Sequence, residues 1–524
     1  MTAMKRILLN PAARPPVNGG RFEGWGSSFC WWANRIGYSD NLTEKAARLF
    51  YGKEEGELGL NIIRYNIGGG DDPSHRHIKR TDSAMPGYLV KQSDGSLAYD
   101  WGADEAQRKV LFAAVREAGS DAVVEAFSNS PPWFMCRSGC SSGAEKPDED
   151  NLLPDQYEAF ADYLASVAEH FKTDWGILFQ SIDPMNEPAS AYWGAMSEKQ
   201  EGCHFEPGES QSRMLLAMKQ ALARHGLSDV ILCATDETSI DVQIEAFEKL
   251  SLEARDAIGR IDTHTYLGSR RAELRELAVR NGKNLWMSEV DGGDVAGVSA
   301  GETGAALALA RRIITDLNGL GSSAWILWQL IDSHISSEGM NGNKDSGMPD
   351  TQGGYWGIAV ADHDRGEIVL TKKYWAFYQF SRFIRPGMYV LRPAGRADTA
   401  DCLAAYDADS GSLVIVAVNY LSCPRFFTAD ISAFLHGGHG GVTIRAYRTS
   451  GSLSDGENAR ELGTARNACG QHHDERRQPH GNCVHTAPIE CGRIHWGHLK
   501  ARLRANSITT FVLATGQGTA TPRI

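Results

Sequence analysis

Two stretches of this chain place a glutamate at the end of an apolar run. In the first, Trp175-Gly176-Ile177-Leu178-Phe179 leads into Ser181-Ile182-Asp183-Pro184-Met185-Asn186-Glu187-Pro188. The apolar run reads as a buried parallel strand. Pro184 and Pro188 cannot donate to a sheet ladder, so the strand should end near them, with Asn186 and Glu187 at its carboxyl end. The second stretch, Asn284-Leu285-Trp286-Met287-Ser288-Glu289-Val290-Asp291-Gly292-Gly293, repeats the pattern. Glu187 and Glu289 lie about a hundred residues apart, room for two to three βα units. Two carboxylates on separate strand ends of one barrel are the apparatus of glycosidic-bond hydrolysis, one as proton donor and one as nucleophile.

The elements that would position this pair follow in order. Gly24 to Phe29 is a short small-residue strand, and Asn61 to Ile67 a second strand that closes in Gly68-Gly69-Gly70-Asp71-Asp72. Asp104 to Gly119 is an amphipathic helix, and Asp121 to Phe127 a third strand running into Ser130-Pro131-Pro132-Trp133. From Pro154 to Lys172, Tyr157, Phe160, Ala161, Leu164, Val167, Ala168 and Phe171 keep helical spacing. The fourth strand carries Glu187. Ser210 to Gly226 is helix, Val230 to Thr235 the fifth strand, and Arg260 to Tyr266 the sixth. Ser269 to Gly282 is helix, the seventh strand carries Glu289, Gly304 to Leu320 is helix, and Ser323 to Leu330 is the eighth strand. Eight strands alternating with helices predict an α/β chain built on a (β/α)8 TIM barrel over residues 21–385. After Pro386 the periodicity changes to short strands, at Cys402 to Asp407, Leu413 to Tyr420, Val442 to Tyr447 and Ser507 to Ala514. Residues 386–524 should form an all-β sandwich joined by residues 1–20, whose Pro11, Pro15 and Pro16 suit an extended edge segment. Residues 451–498 read as a polar insertion bearing His and Cys.

Composition narrows the function. A chain of 524 residues, 42% hydrophobic and 23% charged, is ordinary globular protein with room for a second domain. Its net charge of −12 argues against nucleic acid or an anionic membrane as partner. No run of about 18 apolar residues predicts a membrane span. The apolar part of the amino-terminal segment is too short for a signal peptide, so the expected location is cytoplasmic, or secreted if a leader has been removed. The ten cysteines are irregularly spaced and read mostly as free thiols, Cys30 and Cys233 as small core residues. Thirteen Trp and sixteen Tyr suit rings that stack on sugars, and equally an ordinary core. Nothing in the sequence sets an oligomeric state.

One ordered set of motifs resembles a known family. Asn61-Ile62-Ile63-Arg64 with Asp71 seven positions on, Ser130-Pro131-Pro132-Trp133, Asn186-Glu187-Pro188, His264-Thr265-Tyr266, Ser288-Glu289 and Trp325-Ile326-Leu327-Trp328 resemble glycoside hydrolase family 30. The resemblance continues at Tyr374 to Pro386 and Ser507 to Val512. Asn-Glu-Pro alone recurs across many retaining barrels of the same clan; the ordered set is more specific. Gly24 to Trp32 and Gly68 to Asp72 look most like the branch that acts on β-1,6-galactan. The resemblance implies retaining hydrolysis of β-1,6-galactosyl chains, such as arabinogalactan side chains, internally or with release of short units such as galactobiose. It implies Glu187 as acid/base, Glu289 as nucleophile, and sugar contacts at Arg64, Asp71, Trp133, Asn186, Tyr266 and Trp328, with no cofactor. The alternatives are the same frame on another sugar, as a β-1,6-glucanase, xylanase or glucosylceramidase-like enzyme, or a carbohydrate-binding protein without turnover.

Physical chemistry weighs the same residues. Glu187 should have its pKa raised by burial and by the other carboxylate, while Glu289 must stay ionised, helped by Arg64 or Tyr266. Asn186 suits a hydrogen bond to the sugar 2-hydroxyl. Trp133 and Trp328 offer stacking walls or simply core; Trp325 is packing. Asp71 suits two sugar hydroxyls or a turn after three glycines, and Asp72 is that turn residue. His264 either orients Glu289 or satisfies a backbone carbonyl. Asp291, Asp294 and Asp332 fit the rim but more often serve structure. Gly68-Gly69-Gly70 lacks the endings of phosphate or dinucleotide loops. Cys469, His472, His473, His480, Cys483, His485 and Cys491 are zinc-type ligands without a paired Cys-x-x-Cys unit, so a structural zinc competes there with a disulfide or a solvated loop.

Overall fold

Eight parallel strands close a barrel in chain order: β1 (Gly24–Ser28), β2 (Ile62–Asn66), β3 (Val123–Phe127), β4 (Ser181–Asp183), β5 (Ile231–Ser239), β6 (Arg260–Leu267), β7 (Asn284–Val290) and β8 (Ala324–Leu327), which returns to β1. The computed structural model describes residues 6–80, 82–291, 302–339, 356–395, 401–435, 441–467 and 489–515. Small residues in β1 let its neighbour approach: a Cβ on Gly26 would lie 2.6 Å from the Ile62 carbonyl oxygen. Helices follow the strands as the periodicity predicts. Glu105–Ala118, Tyr157–Thr173, Glu209–Arg224 and Arg271–Arg280 each bury one face. On Tyr157–Thr173 the buried set contains all seven residues picked out by spacing, and Phe171 packs on Tyr65, Trp175 and Phe179 at ring-centroid distances of 5.2, 4.7 and 4.8 Å.

Two strands differ from expectation. β4 is not the apolar run 175–179 but Ser181–Asp183, one residue beyond it. Gly176 turns with φ +68, Leu178 is 46% exposed, and the ladder begins only where Gln180 N–H donates to Val124 O at 2.8 Å. β5 runs four residues beyond Thr235. Its register slips between Thr235 and Glu237 and again before Ser239, so the polar Asp236-Glu237 pair stays within the barrel wall instead of ending the strand. Ser239 then caps the helix Ile240–Lys249, accepting from Asp241 N.

The chain divides into two compact units. One comprises Gly24–Val298 and Ser322–Leu370; the other comprises Met1–Glu23, Ser299–Gly321 and Thr371–Ile524. By packing, the helices Thr303–Leu320 and Lys372–Ser381 join the second unit. That unit holds a six-stranded antiparallel sheet, in the order Tyr389–Leu391, Cys402–Asp407, Ser412–Asn419, Ser507–Thr515, Val442–Ser450, Glu457–Asn467. A five-stranded sheet combines Ala394–Gly395, Arg6–Leu8, Arg425–Asp430, His498–Leu503 and Arg493–His495. The amino-terminal segment is thus a strand lent to the sandwich, and Ile7 and Leu9 enter a core with Ile415, Ala429, Leu499 and Phe511. The strands Arg425–Asp430, Glu457–Asn467 and His498–Leu503 have no counterpart in the sequence reading, nor has a small sheet of Ile331–Ile335, Ala359–Asp362 and Glu367–Leu370.

Eight described cysteines are free thiols, all buried except Cys423. Cys491 donates to Leu462 O; the other six residues of the predicted His/Cys set lie outside the described residues. Among the described residues no helix is long and apolar enough to cross a membrane.

Candidate active site

The carboxyl ends of β2, β4, β5, β6 and β7 converge on one charged cluster. Its centre is Arg64 on β2, fully buried. The guanidinium donates to Glu289 Oε2 at 2.6 Å, to Asn186 Oδ1 at 3.2 Å and to Asp236, and its Nε lies 3.4 Å from Glu125 Oε1. Tyr266 OH donates to the other Glu289 oxygen at 3.1 Å. His264 on β6 faces three acids: Nδ1 lies 2.9 Å from Glu187 Oε1 and 3.5 Å from Glu289 Oε1, and Nε2 lies 3.2 Å from Asp236 Oδ1. Tyr192 donates to the second oxygen of Glu187. One carboxylate oxygen of Glu187 and one of Glu289 lie within 4.8 Å of each other.

Backbone geometry delivers these acids. β4 ends at Asp183, and Glu187 follows in the turn with φ +48, its N–H donating to Asp236 O at 3.0 Å. Asp236 has φ +58 and accepts from Ser288 Oγ at 2.5 Å. Left-handed backbone at two non-glycine acids is costly and is found where the surroundings over-determine a functional geometry.

Glu187, Asp236 and Glu289 face Arg64 and His264, while Glu125 on the other side of Arg64 pairs also with Arg260. Burial opposes the His264 charge, but Glu289 and Asp236 outweigh it and hold the imidazolium pKa well above the ordinary value. Burial likewise opposes ionisation of Asp236, yet the Arg64 and His264 charges pull it down to about 2. Glu289 carries the imbalance: burial pushes it up to about 7, His264 and Arg64 pull against this, and the neighbouring Glu187 and Asp236 charges add to it. Glu289 is thus a raised carboxyl, where the residue-type argument required it to stay ionised.

The structure thus brings Arg64, Asn186, Glu187, His264, Tyr266 and Glu289 together. Trp328 packs edge-to-face on Trp31, centroids 4.9 Å apart, beside Met85 and Phe127. Asp71 and Trp133 line a cleft of about 470 Å³, with Gly69, Gly70, Lys91, Ser141 and Glu201 on its walls. Asp71 is not free in it: Ser141 N–H donates to Oδ1 at 3.2 Å, and His75 and His77 flank the two oxygens. Asp72 is the turn residue, accepting from Ser74 N–H at 2.8 Å. Asp291 and Asp332 are buried and Asp332 accepts from Trp356 N–H, while Asp294 lies outside the described residues.

Sequence reasoning missed Asp236, Tyr192, Glu201 and Glu237. Asp236-Glu237 after Ile231-Leu232-Cys233-Ala234-Thr235 has the same apolar-strand-then-acid signature that revealed the other two glutamates. Glu201 accepts from the N–H groups of Gly69 and Gly70 at 3.0 and 3.2 Å, and this is where the glycine-rich turn spends its donors. Tyr192 carries no pattern; it reaches Glu187 only because of the turn.

Comparison with known proteins agrees with this geometry. Residues 20–242 match the profile described as O-Glycosyl hydrolase family 30. The chain is 31% identical over 453 residues to an endo-beta-1,6-galactanase from Hypocrea rufa, covering 83% of this chain and 86% of that one. It is 27% identical over 436 residues to an exo-beta-1,6-galactobiohydrolase from Bifidobacterium longum subsp. longum, covering 66% of this chain and 28% of that protein. The catalytic domain of GH30 xylanase C from Talaromyces cellulolyticus shares the fold, with a TM-score of 0.68 at 17% identity over 97% of this chain and 100% of that one. With the barrel, the paired glutamates and a relative matched over most of both lengths, this chain belongs to the O-glycosyl hydrolases of family 30.

Proposed function

We infer that this enzyme hydrolyses β-1,6-linked galactosyl chains with retention at the anomeric carbon. The observation that carries the mechanism is the Glu187–Glu289 pair, with one oxygen of each within 4.8 Å of the other. Retaining enzymes hold their two carboxyls about 5–5.5 Å apart, whereas inverting ones need about 6.5–9.5 Å to admit a water. The sugar specificity rests on the relatives named for β-1,6-galactan.

In the first step Glu187 gives its proton to the glycosidic oxygen while Glu289 attacks the anomeric carbon; the C–O bond breaks and a galactosyl ester of Glu289 forms. In the second, Glu187 takes a proton from water, whose oxygen displaces Glu289. Arg64 and Tyr266 hold the attacking carboxylate in line, and His264 bridges the two acids as the proton count changes. With its Oδ1 fixed by Arg64, Asn186 presents its amide nitrogen to the sugar 2-hydroxyl. Trp328 and Trp133 supply aromatic walls.

Product analysis on de-arabinosylated β-1,6-galactan, beside β-1,6-glucan and xylan, tests the substrate. Galactose-containing products from the first substrate alone are expected, and their length separates internal from terminal cleavage. Turnover of glucan or xylan without galactan would overturn the specificity and leave the carboxylate chemistry standing.

A further inference from the structure

Each hydroxyl beside Glu187 has a single hydrogen to give, and this fixes the direction of a chain that ends on its carboxyl. Tyr192 spends its hydrogen on Glu187 Oε2. The phenol oxygen also lies 3.1 Å from Thr238 Oγ1 on β5, so in that contact Thr238 is the donor. Thr238 Oγ1 lies 2.9 Å from Ser190 Oγ and, with its own hydrogen committed, accepts there from Ser190. The order is Ser190 to Thr238 to Tyr192 to Glu187, every hydrogen pointing toward the carboxylate. The two steps written above use none of the three hydroxyls.

The same two segments interlock residue by residue. Glu187 N–H donates to Asp236 O at 3.0 Å, and Ala189 N–H donates to Glu237 Oε2 at 3.0 Å. Glu237 is held in turn, accepting from Gln211 Nε2 at 2.9 Å and donating its N–H to Gln243 Oε1 at 2.9 Å. Thr238 then takes Ser190 and Tyr192. Three consecutive residues of β5 therefore grip the turn that carries Glu187 in its left-handed conformation. They reach it because the register slips keep the end of β5 in the barrel wall. Partial burial and the Glu187 charge hold the Tyr192 phenol well above its ordinary pKa, so it keeps the hydrogen it donates. Hydrogen bonds from Ser190 and Thr238 pull the other way, as donors to the phenol oxygen must.

We propose that Thr238 is a positioning residue for the acid/base: backed by Ser190, it fixes the Tyr192 hydroxyl and, through it, the Glu187 carboxyl against the glycosidic oxygen. One Glu187 oxygen rests on His264 Nδ1 at 2.9 Å and the other on Tyr192, so these two contacts set the plane of the carboxyl. Each hydroxyl in the chain polarises the next, and the last contact is strengthened by those behind it. The inference rests on Glu187 as acid/base, and its test is read on that step alone.

The departing group separates positioning of the acid/base from general damage. A dinitrophenolate leaves without a proton, whereas a poorer leaving group needs one from Glu187. The parent and its variants are compared by kcat/KM on 2,4-dinitrophenyl and phenyl β-glycosides of the sugar that the product analysis releases. Thr238→Val keeps the shape and removes the hydroxyl; it should lower kcat/KM on the phenyl glycoside about fivefold and leave the dinitrophenyl glycoside within about twofold of the parent. Thr238→Ser should restore the phenyl glycoside. In Tyr192→Phe the added change Thr238→Val should do nothing further, because the chain no longer reaches Glu187. Glu187→Gln should show the same split, larger. Equal losses on both glycosides in Glu187→Gln would remove the acid/base assignment and the proposal with it. A split in Glu187→Gln with equal losses in Thr238→Val, or with additive effects in the double variant, would overturn the positioning role alone.

Discussion

Asp236→Asn tests the charge arithmetic of the site most sharply, because the amide keeps the shape and removes one negative charge beside Arg64 and His264. Asp236 is fully buried and pairs with Arg64 and His264. Breaking a buried ion pair costs about 3–5 kcal/mol. Arg64 retains Glu289 and lies beside Glu125, so a loss near the lower end, about 3 kcal/mol, is expected in urea unfolding. The catalytic consequence has a definite sign. The Asp236 charge raises the Glu289 pKa and occupies part of the Arg64 charge, so its removal should lower that pKa from about 7. Two carboxylates sharing one guanidinium stand roughly 6 Å apart, and at an effective dielectric of about 20 they repel by about 3 kcal/mol. Partial compensation by His264 leaves a shift of about one to two pH units. If ionised Glu289 sets the acidic limb of kcat/KM, that limb should move to lower pH by this amount. A variant whose acidic limb moves up, or stays in place with unchanged stability, would refute the reasoning.

Other consequences are simpler to check. Burial pushes Glu201 and Glu237 up to about 8, from an ordinary value of 4.5. Their stabilising contribution is complete below pH 4.5 and is lost as pH rises through 8, so unfolding free energy should decline across that window by up to about 1.4 kcal/mol per pH unit for each group. Glu201→Gln and Glu237→Gln should flatten the decline, measured by denaturant titration at several pH values. Phe171→Ala removes a fully buried ring with four aromatic neighbours and should cost about 3–5 kcal/mol, read in the same titration. Tyr192→Phe removes the hydroxyl that donates to Glu187 and should lower kcat/KM about tenfold with little change in stability, since the ring is 52% exposed.

The barrel was legible because its signals are local and repeated. Helix Tyr157–Thr173 is written in the spacing of its apolar residues, and Arg64, Glu187 and Glu289 stand where apolar strands end. The errors have physical causes. The run 175–179 is apolar enough for a strand, but Gly176 turns the chain and the barrel wall takes Ser181–Asp183 instead. Asp236 was hidden because two register slips carry β5 through polar residues that ordinarily end a strand. Strand Arg425–Asp430 gains its place from non-local pairing with Arg6–Leu8 and His498–Leu503, which local pattern does not encode. The meeting of Thr238 with Tyr192 depends likewise on β5 folding against the turn after β4.

The most direct test of the central claim follows the anomeric proton of the first product by nuclear magnetic resonance during hydrolysis of β-1,6-galactan, with Glu187→Gln and Glu289→Gln as controls. Retention predicts that the β-anomer of the new reducing end appears first and then mutarotates, and that both variants lose turnover while keeping the parent's circular dichroism. An α-anomer appearing first, or undiminished hydrolysis by folded Glu289→Gln, would contradict the assignment of this carboxylate pair.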